Sequence, residues 1–208
     1  MLIIQITDAA TNADAIARAA DIVRGGGVVA YATDTLYGLA VDPRSDAAVE
    51  RLFTVKGRDE RVAIPLIAAS LEQAEAVGVL GHTEMLLASA FWPGPLTIVV
   101  PARPGLSARV LAGGDTVAVR VPAHEVARTL AAASGHAVTS TSANRSGQAP
   151  PTSAAEIDSS LASHLDAVLD SGPAPGGSPS TIVKAVGARV ELLRAGAIAW
   201  DRVLESLE

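Results

Sequence analysis

Apolar positions recur along the chain with helical and strand periods in alternation, punctuated by glycine, proline and small polar residues. Residues 2–6 read as a short strand. Ile16, Ala19, Ala20 and Val23 then share one helical face, with Asn12 placed to cap the start and Gly25-Gly26-Gly27 to end it. The continuous apolar run 28–32 suits a strand covered on both faces. The stretch Thr33-Asp34-Thr35-Leu36-Tyr37-Gly38 predicts a loop leaving that strand. A second helix is expected from a capping Asp46 through Val55, with Val49, Leu52 and Phe53 inward and Lys56-Gly57-Arg58 at its C-terminal end.

The same reading continues to the end of the chain. It predicts a strand at 65–68, helices at 71–77 and 83–91, and a turn forced by Pro93-Gly94-Pro95. Strands follow at 96–100 and 116–121, then a helix at 124–133, a strand at 137–140 and a polar segment at 141–151. A helix at 154–164 and a strand at 166–169 come next. The Pro/Gly-rich stretch 172–179 looks like a linker by composition, but only strands 181–186 and 189–194 and a short helix lie beyond it. It is therefore expected to be a loop inside one domain, 1–208. The fold class expected is α/β: a twisted, mixed parallel and antiparallel sheet flanked by helices.

Composition narrows the function. Of 208 residues, 49% are apolar, yet Phe, Trp and Tyr number two each, so the core is aliphatic and aromatic base-stacking platforms are disfavoured. The net charge of −6 is the wrong sign for holding polyanions by a general surface field, and any phosphate contact must be local. There is no cysteine, which excludes disulfides, thiolate nucleophiles and Cys-based metal sites. The start lacks the basic and apolar regions of a secretory signal, and Pro93-Gly94-Pro95 interrupts the longest apolar stretch. A cytoplasmic protein with no membrane partner is expected.

Five polar clusters follow strands or helix ends, where α/β sheets place ligands: 33–38, 56–61, 116–120, 139–147 and 178–194. Arg120 lies in the apolar strand Val117-Ala118-Val119-Arg120-Val121, where a guanidinium needs a carboxylate, a phosphate or an exposed edge. Thr139-Ser140-Thr141-Ser142-Ala143-Asn144 sets four hydroxyls and an amide after a strand, enough donors to surround a phosphate or an amino acid, though a capped turn has the same composition. Neither a P-loop nor a G-x-G-x-x-G after a strand is present. His82, His124, His136 and His164 lack metal-ligand spacing, so no metal site is expected.

Taken in order, the segments Gly26 to Leu39, Lys56-Gly57-Arg58, Pro65-Leu66-Ile67, Trp92-Pro93-Gly94-Pro95-Leu96-Thr97, Val117 to Pro122, Thr141 to Gly147 and Pro179-Ser180-Thr181-Ile182-Val183 resemble the YrdC-like family of threonylcarbamoyl-AMP synthases. The resemblance covers nearly the whole chain and is to the short, single-domain form, with a concave ligand cavity. It implies an enzyme that joins L-threonine, bicarbonate or CO2, and ATP with Mg2+ into threonylcarbamoyl-AMP and pyrophosphate. Partner proteins would then transfer the threonylcarbamoyl group to tRNA.

The family's Lys-x-Arg and Ser-x-Asn signatures fall on Lys56, Arg58, Ser142 and Asn144, implied to hold the nucleotide phosphates, with Lys56 and Arg58 catalytic. Thr116, Pro150 and Arg194 match further ATP-contacting positions. Threonine contacts carry over to Thr35, Arg120, Ser140 and Ser180, with Arg120 matched to the amino acid carboxylate. Two departures stand out: Ile64 and Ala69 occupy places where many members carry Asn and His, and the spacing from Arg58 to Pro65 is longer. A same-fold paralogue with altered carbamoyl chemistry and an RNA-associated module remain as alternatives.

Overall fold

A computed structural model describes residues 1–57, 62–187 and 189–208. The first half runs β1 (Leu2–Gln5), α1 (Ala13–Arg24), β2 (Val29–Ala32), β3 (Tyr37–Ala40), α2 (Asp46–Lys56), β4 (Leu66–Ile67), α3 (Leu71–Val77) and α4 (His82–Phe91). It continues through β5 (Leu96–Pro101), β6 (Thr116–Arg120), α5 (Glu125–Ser134), β7 (Val138–Thr139), β8 (Thr141–Ser142) and a 3-10 turn (Ala154–Glu156). The end is α6 (Ser159–Ala162), β9 (Ala167–Asp170), β10 (Thr181–Val186), β11 (Arg189–Arg194) and α7 (Trp200–Glu205).

The expected mixed α/β architecture is formed, with the strands divided between two sheets. One has the order β1-β9-β2-β3-β8 and the other β11-β10-β5-β6-β4-β7. Parallel and antiparallel pairs occur in both: β9 lies parallel to β1 and β2 while β3 is antiparallel to β2, and β10 is parallel to β5 but antiparallel to β11. The chain passes from the second sheet to the first between β7 and β8, with Ser140 alone in the gap. Thr139 closes this seam, its hydroxyl donating to the Leu39 carbonyl and accepting from the Val41 amide, both at 2.9 Å.

Two aliphatic cores flank β2, and side-chain alternation explains why all four of its residues are buried. Val29 and Tyr31 face the smaller core, where Ile16, Ala19, Ala20 and Val23 of α1 meet Val126, Ala127, Leu130 and Ala131 of α5. Ala30 and Ala32 face the larger one with Val49, Leu52 and Phe53 of α2 and Ile98 and Val119 of the second sheet. Complete burial of a side chain such as Leu52 contributes about 1.5–3 kcal/mol, so these faces set the packing. Among the described residues no helix is long and apolar enough to cross a membrane.

Several expectations need correction. The loop predicted over 33–38 is only a tight turn, because Tyr37 already begins β3 and folds back antiparallel on β2. The cap of α2 is Ser45, whose hydroxyl accepts from the Ala48 amide, while Asp46 sits in the first turn, where a carboxylate suits the helix dipole. Asn12 precedes α1 but its side-chain oxygen turns back to accept from the Thr7 and Asp8 amides. The helix expected over 154–164 is broken into the 3-10 turn and α6, since Asp158 caps a new start by accepting from the Ser160 amide.

Candidate active site

The turn between β2 and β3 is built on one hydroxyl. Thr33 Oγ1 donates to the Leu36 carbonyl at 2.8 Å and accepts from the Thr35 and Leu36 amides at 3.1 and 3.2 Å. The tip of the turn carries Asp34 across to the second sheet, where its carboxylate meets Arg120 Nη1 at 2.8 Å and accepts from the Ala123 amide at 3.1 Å. Of the three environments open to a guanidinium in this strand, Arg120 takes the carboxylate. Both side chains are largely buried, at 6% and 12% exposure for Arg120 and Asp34.

Between the turn, the seam and the last hairpin lies a cavity of about 490 Å³, within the range of small-molecule sites. Thr35, Arg120, Ser140, Ser142, Asn144, Pro150, Ser180 and Arg194 all line it. The topology therefore gathers eight of the eleven expected site residues from five separate stretches of chain. Gly38 of β3 also lines it, and a Cβ there would press on the Tyr31 ring at 3.3 Å. Burial holds the Tyr31 phenol well above the ordinary tyrosine value, so it stays protonated and donates to the Thr139 carbonyl at 3.1 Å.

Two expected residues are placed otherwise, and a third is not among the described residues. Lys56 is buried behind the wall, outside the lining, and its ammonium donates to the carbonyls of Ser142 and, at 2.8 Å, Asn144. Thr116 starts β6 opposite Pro101, four residues from Arg120 and so roughly 13 Å along the strand, and does not line the cavity. Arg58 and the neighbouring Arg61 lie outside the described residues. Of the two residues that depart from the family pattern, Ile64 is buried in the larger core and Ala69 is also absent from the lining, whereas Pro65, Leu66 and Ile67 between them contribute to it.

At the far wall, Arg194 folds over Ser180. Its Nε and Nη2 donate to the Ser180 carbonyl at 3.1 and 2.8 Å, Nη2 also reaches the Ser180 hydroxyl at 3.0 Å, and that hydroxyl shares a 2.8 Å bond with Thr97. Burial, and behind it the positive charge of Arg120, pull Arg194 below the ordinary arginine value, without discharging a guanidinium near neutrality. Among the described residues no carboxylate pairs with Arg194, and the cavity lining holds two arginines and no acid. Such a lining can receive an anion locally even in a chain of net charge −6.

Other lining residues escaped the sequence reading. Thr97, at the end of the matching segment 92–97, and Gln148 are cavity residues that were not singled out as ligands. Asn144 Nδ2 donates to the Arg145 and Gln148 carbonyls, which fixes the amide and leaves its buried Oδ1 without a donor among the described residues. Nor do those residues contain a cluster of three His, Asp or Glu that could hold a metal ion. Tyr37, its hydroxyl donating to the Gly172 carbonyl at 2.7 Å, ties the 172–179 loop to the rim, and burial with the Asp170 charge pushes its phenol up to about 12.

Comparison with known proteins gives concordant findings. The family model Sua5_yciO_yrdC, described as "Telomere recombination", matches residues 21–196. A threonylcarbamoyl-AMP synthase of Idiomarina loihiensis is 36% identical over 167 residues, 79% of this chain and 90% of that protein. One of Bacillus subtilis is 35% identical over 203 residues, 96% of this chain and 59% of that protein. The crystal structure of Pyrococcus abyssi Sua5 complexed with L-threonine superposes with a TM-score of 0.91 at 32% identity, covering 99% of this chain and 60% of that one. The chain thus spans nearly all of the first relative and about three-fifths of the other two.

Proposed function

Because the chain belongs to the Sua5, YciO and YrdC family, we propose that it is an L-threonylcarbamoyladenylate synthase, a nucleotidyltransferase making threonylcarbamoyl-AMP and pyrophosphate from L-threonine, bicarbonate or CO2, and ATP. The observation that carries this reading is the cavity wall, which offers two guanidinium groups, a series of hydroxyls and an amide, and no carboxylate among the described residues. Such a wall suits a substrate pair with a carboxylate at one end and a triphosphate at the other.

The chemistry asks for positioning. The neutral threonine amine attacks the carbon of CO2 and loses one proton to solvent, giving a carbamate that keeps its other N–H. A carbamate oxygen then attacks the α-phosphorus of ATP, the bond from that phosphorus to the bridging oxygen breaks, and pyrophosphate departs. In this assignment Arg120, Thr35, Ser140 and Ser180 hold threonine, with Arg120 on its carboxylate. Arg194, Ser142, Asn144 and Pro150 face ATP, and Lys56 lends its charge through the wall it secures, with Arg58 the second basic residue of that motif. Thr116 lies at the distal end of β6, outside the cavity lining, and is given no contact in this assignment.

Mg2+ would enter with the ATP phosphates, which supply most of its oxygen ligands, and the donor-free Asn144 Oδ1 and the Ser142 hydroxyl are groups of the kind it accepts. The product suits transfer, by partner proteins, of the threonylcarbamoyl group to a tRNA adenosine. Pyrophosphate release by the purified protein tests the proposal. With ATP, Mg2+ and bicarbonate, release should depend on L-threonine, fall with L-serine, and disappear in Arg194→Ala. Threonine-independent release, or none with ATP still bound, would refute it.

A further inference from the structure

We infer that Asp34 is a positioning residue for the amino acid substrate: it holds Arg120 by one nitrogen and so presents the remaining edge of the guanidinium to the substrate carboxylate. The inference rests on the proposed role of Arg120 in receiving that carboxylate. Asp34 is not among the cavity-lining residues, although its neighbours Thr33, Thr35 and Leu36 are. Its carboxylate bears on the cavity through Arg120, which lines it.

Its two carboxylate oxygens are both committed to the second sheet and the helix after it. Oδ1 takes Arg120 Nη1 at 2.8 Å and Oδ2 takes the Ala123 amide at 3.1 Å, just before α5. The carboxylate is therefore held at both oxygens, and its backbone is held by the three hydrogen bonds of Thr33 Oγ1. Arg120 is fixed in turn at its Cα, because β6 pairs with β4 in the register Ile67 with Arg120 and the Arg120 carbonyl accepts from the Ala68 amide at 2.8 Å. A side chain anchored at its root and at one terminal nitrogen has little rotamer freedom left.

A guanidinium has five N–H groups. Asp34 engages Nη1, and among the described residues no partner is present at Nε or Nη2. That pair forms one of the edges on which a carboxylate is received by two parallel hydrogen bonds. Asp34 also offsets the charge of a guanidinium that would otherwise be buried alone, so Arg120 acts here as an oriented donor while Arg194 carries the charge without a carboxylate partner.

The test compares L-threonine with L-threonine amide, which lacks the carboxylate, by calorimetric binding to the full chain in the wild type, Asp34→Ala, Asp34→Asn and Arg120→Ala. ATP affinity and thermal unfolding are measured alongside. Asp34→Ala should weaken L-threonine binding about tenfold or more and erase the preference for the acid over the amide, with ATP affinity held within about threefold. Asp34→Asn, which keeps an oxygen for Nη1, should recover part of that preference. Loss of preference in Arg120→Ala but not in Asp34→Ala overturns the inference and leaves the role of Arg120 standing. Retention of preference in Arg120→Ala removes both. Equal losses for L-threonine, its amide and ATP, with lowered unfolding temperature, would make Asp34 a structural tie only.

Discussion

Replacing Gly196 with alanine tests how the end of the last hairpin controls the cavity. A Cβ at this position falls 2.3 Å from the Pro179 carbonyl oxygen and 2.5 Å from both the Ser180 carbonyl carbon and the Thr181 nitrogen. Ordinary contact begins near 3.4 Å, and all three neighbours are backbone, so the two segments must part by roughly 1 Å. They cannot part freely. Ala197 donates to the Pro179 carbonyl at 2.8 Å, the Thr181 hydroxyl donates to the Ile198 carbonyl at 2.7 Å, and Arg194 clasps Ser180.

Overpacking of this kind costs about 1–3 kcal/mol. For a chain of this length each kcal/mol lowers Tm by roughly 2–4 °C, so a fall of roughly 2–12 °C is expected. The displacement also reaches Pro179, Ser180 and Arg194, all three in the cavity wall. A 1 Å misplacement of binding groups can reduce turnover about a hundredfold, and threonine-dependent pyrophosphate release, assayed well below Tm, should fall far more than the folded fraction does. An alanine variant that unfolds with the wild type and turns over at the same rate would refute the reasoning.

Two further substitutions probe the wall and its pH dependence. In Lys56→Met the Ser142 and Asn144 carbonyls lose the ammonium between them, which should cost about 1–3 kcal/mol in urea unfolding and reduce pyrophosphate release beyond that loss; unchanged stability would contradict the clamp. Burial holds His124 below its ordinary value despite the opposing charge of Asp34, so the folded chain keeps it neutral while the unfolded chain protonates near its ordinary value of about 6.5. Its stabilising contribution is present above about pH 6.5 and is lost as the pH falls from there towards the folded value. His124→Gln should flatten that part of a denaturation series run between about pH 5 and 8, and a curve parallel to the wild type would rule the explanation out.

Legibility from sequence follows the range of the interaction involved. The buried face of α1 consists of Ile16, Ala19, Ala20 and Val23, the four residues whose spacing marked it, and β10 and β11 fall at 181–186 and 189–194 as their pattern predicts. Periodicity and glycine placement are local signals and survive folding. The missed strands β3 and β8 are four and two residues long, and they are stabilised by pairing with each other, Gly38 with Ser142 and Leu39 with Thr141, across a hundred residues of chain. The break between the 3-10 turn and α6 was hidden for a related reason. Competing side-chain caps, the Asp158 carboxylate for the Ser160 amide and Glu156 for the Thr152 amide, outweigh a helical pattern too weak to resist them.

The residue types needed to bind anions were visible as motifs, but a motif does not say where a side chain is placed. Sequence alone determined that this is an α/β chain with an aliphatic core, and that Arg120 within an apolar strand requires an anionic partner or an exposed edge, because burial and hydrogen-bonding demand are properties of each residue in its local pattern. Tertiary structure decided that the partner is Asp34, that Ser140 occupies the crossing between two sheets, and that Lys56 stands behind the wall while Arg194 stands in it. Those placements depend on the register of strands far apart in sequence, where a shift of one residue turns every side chain to the opposite face.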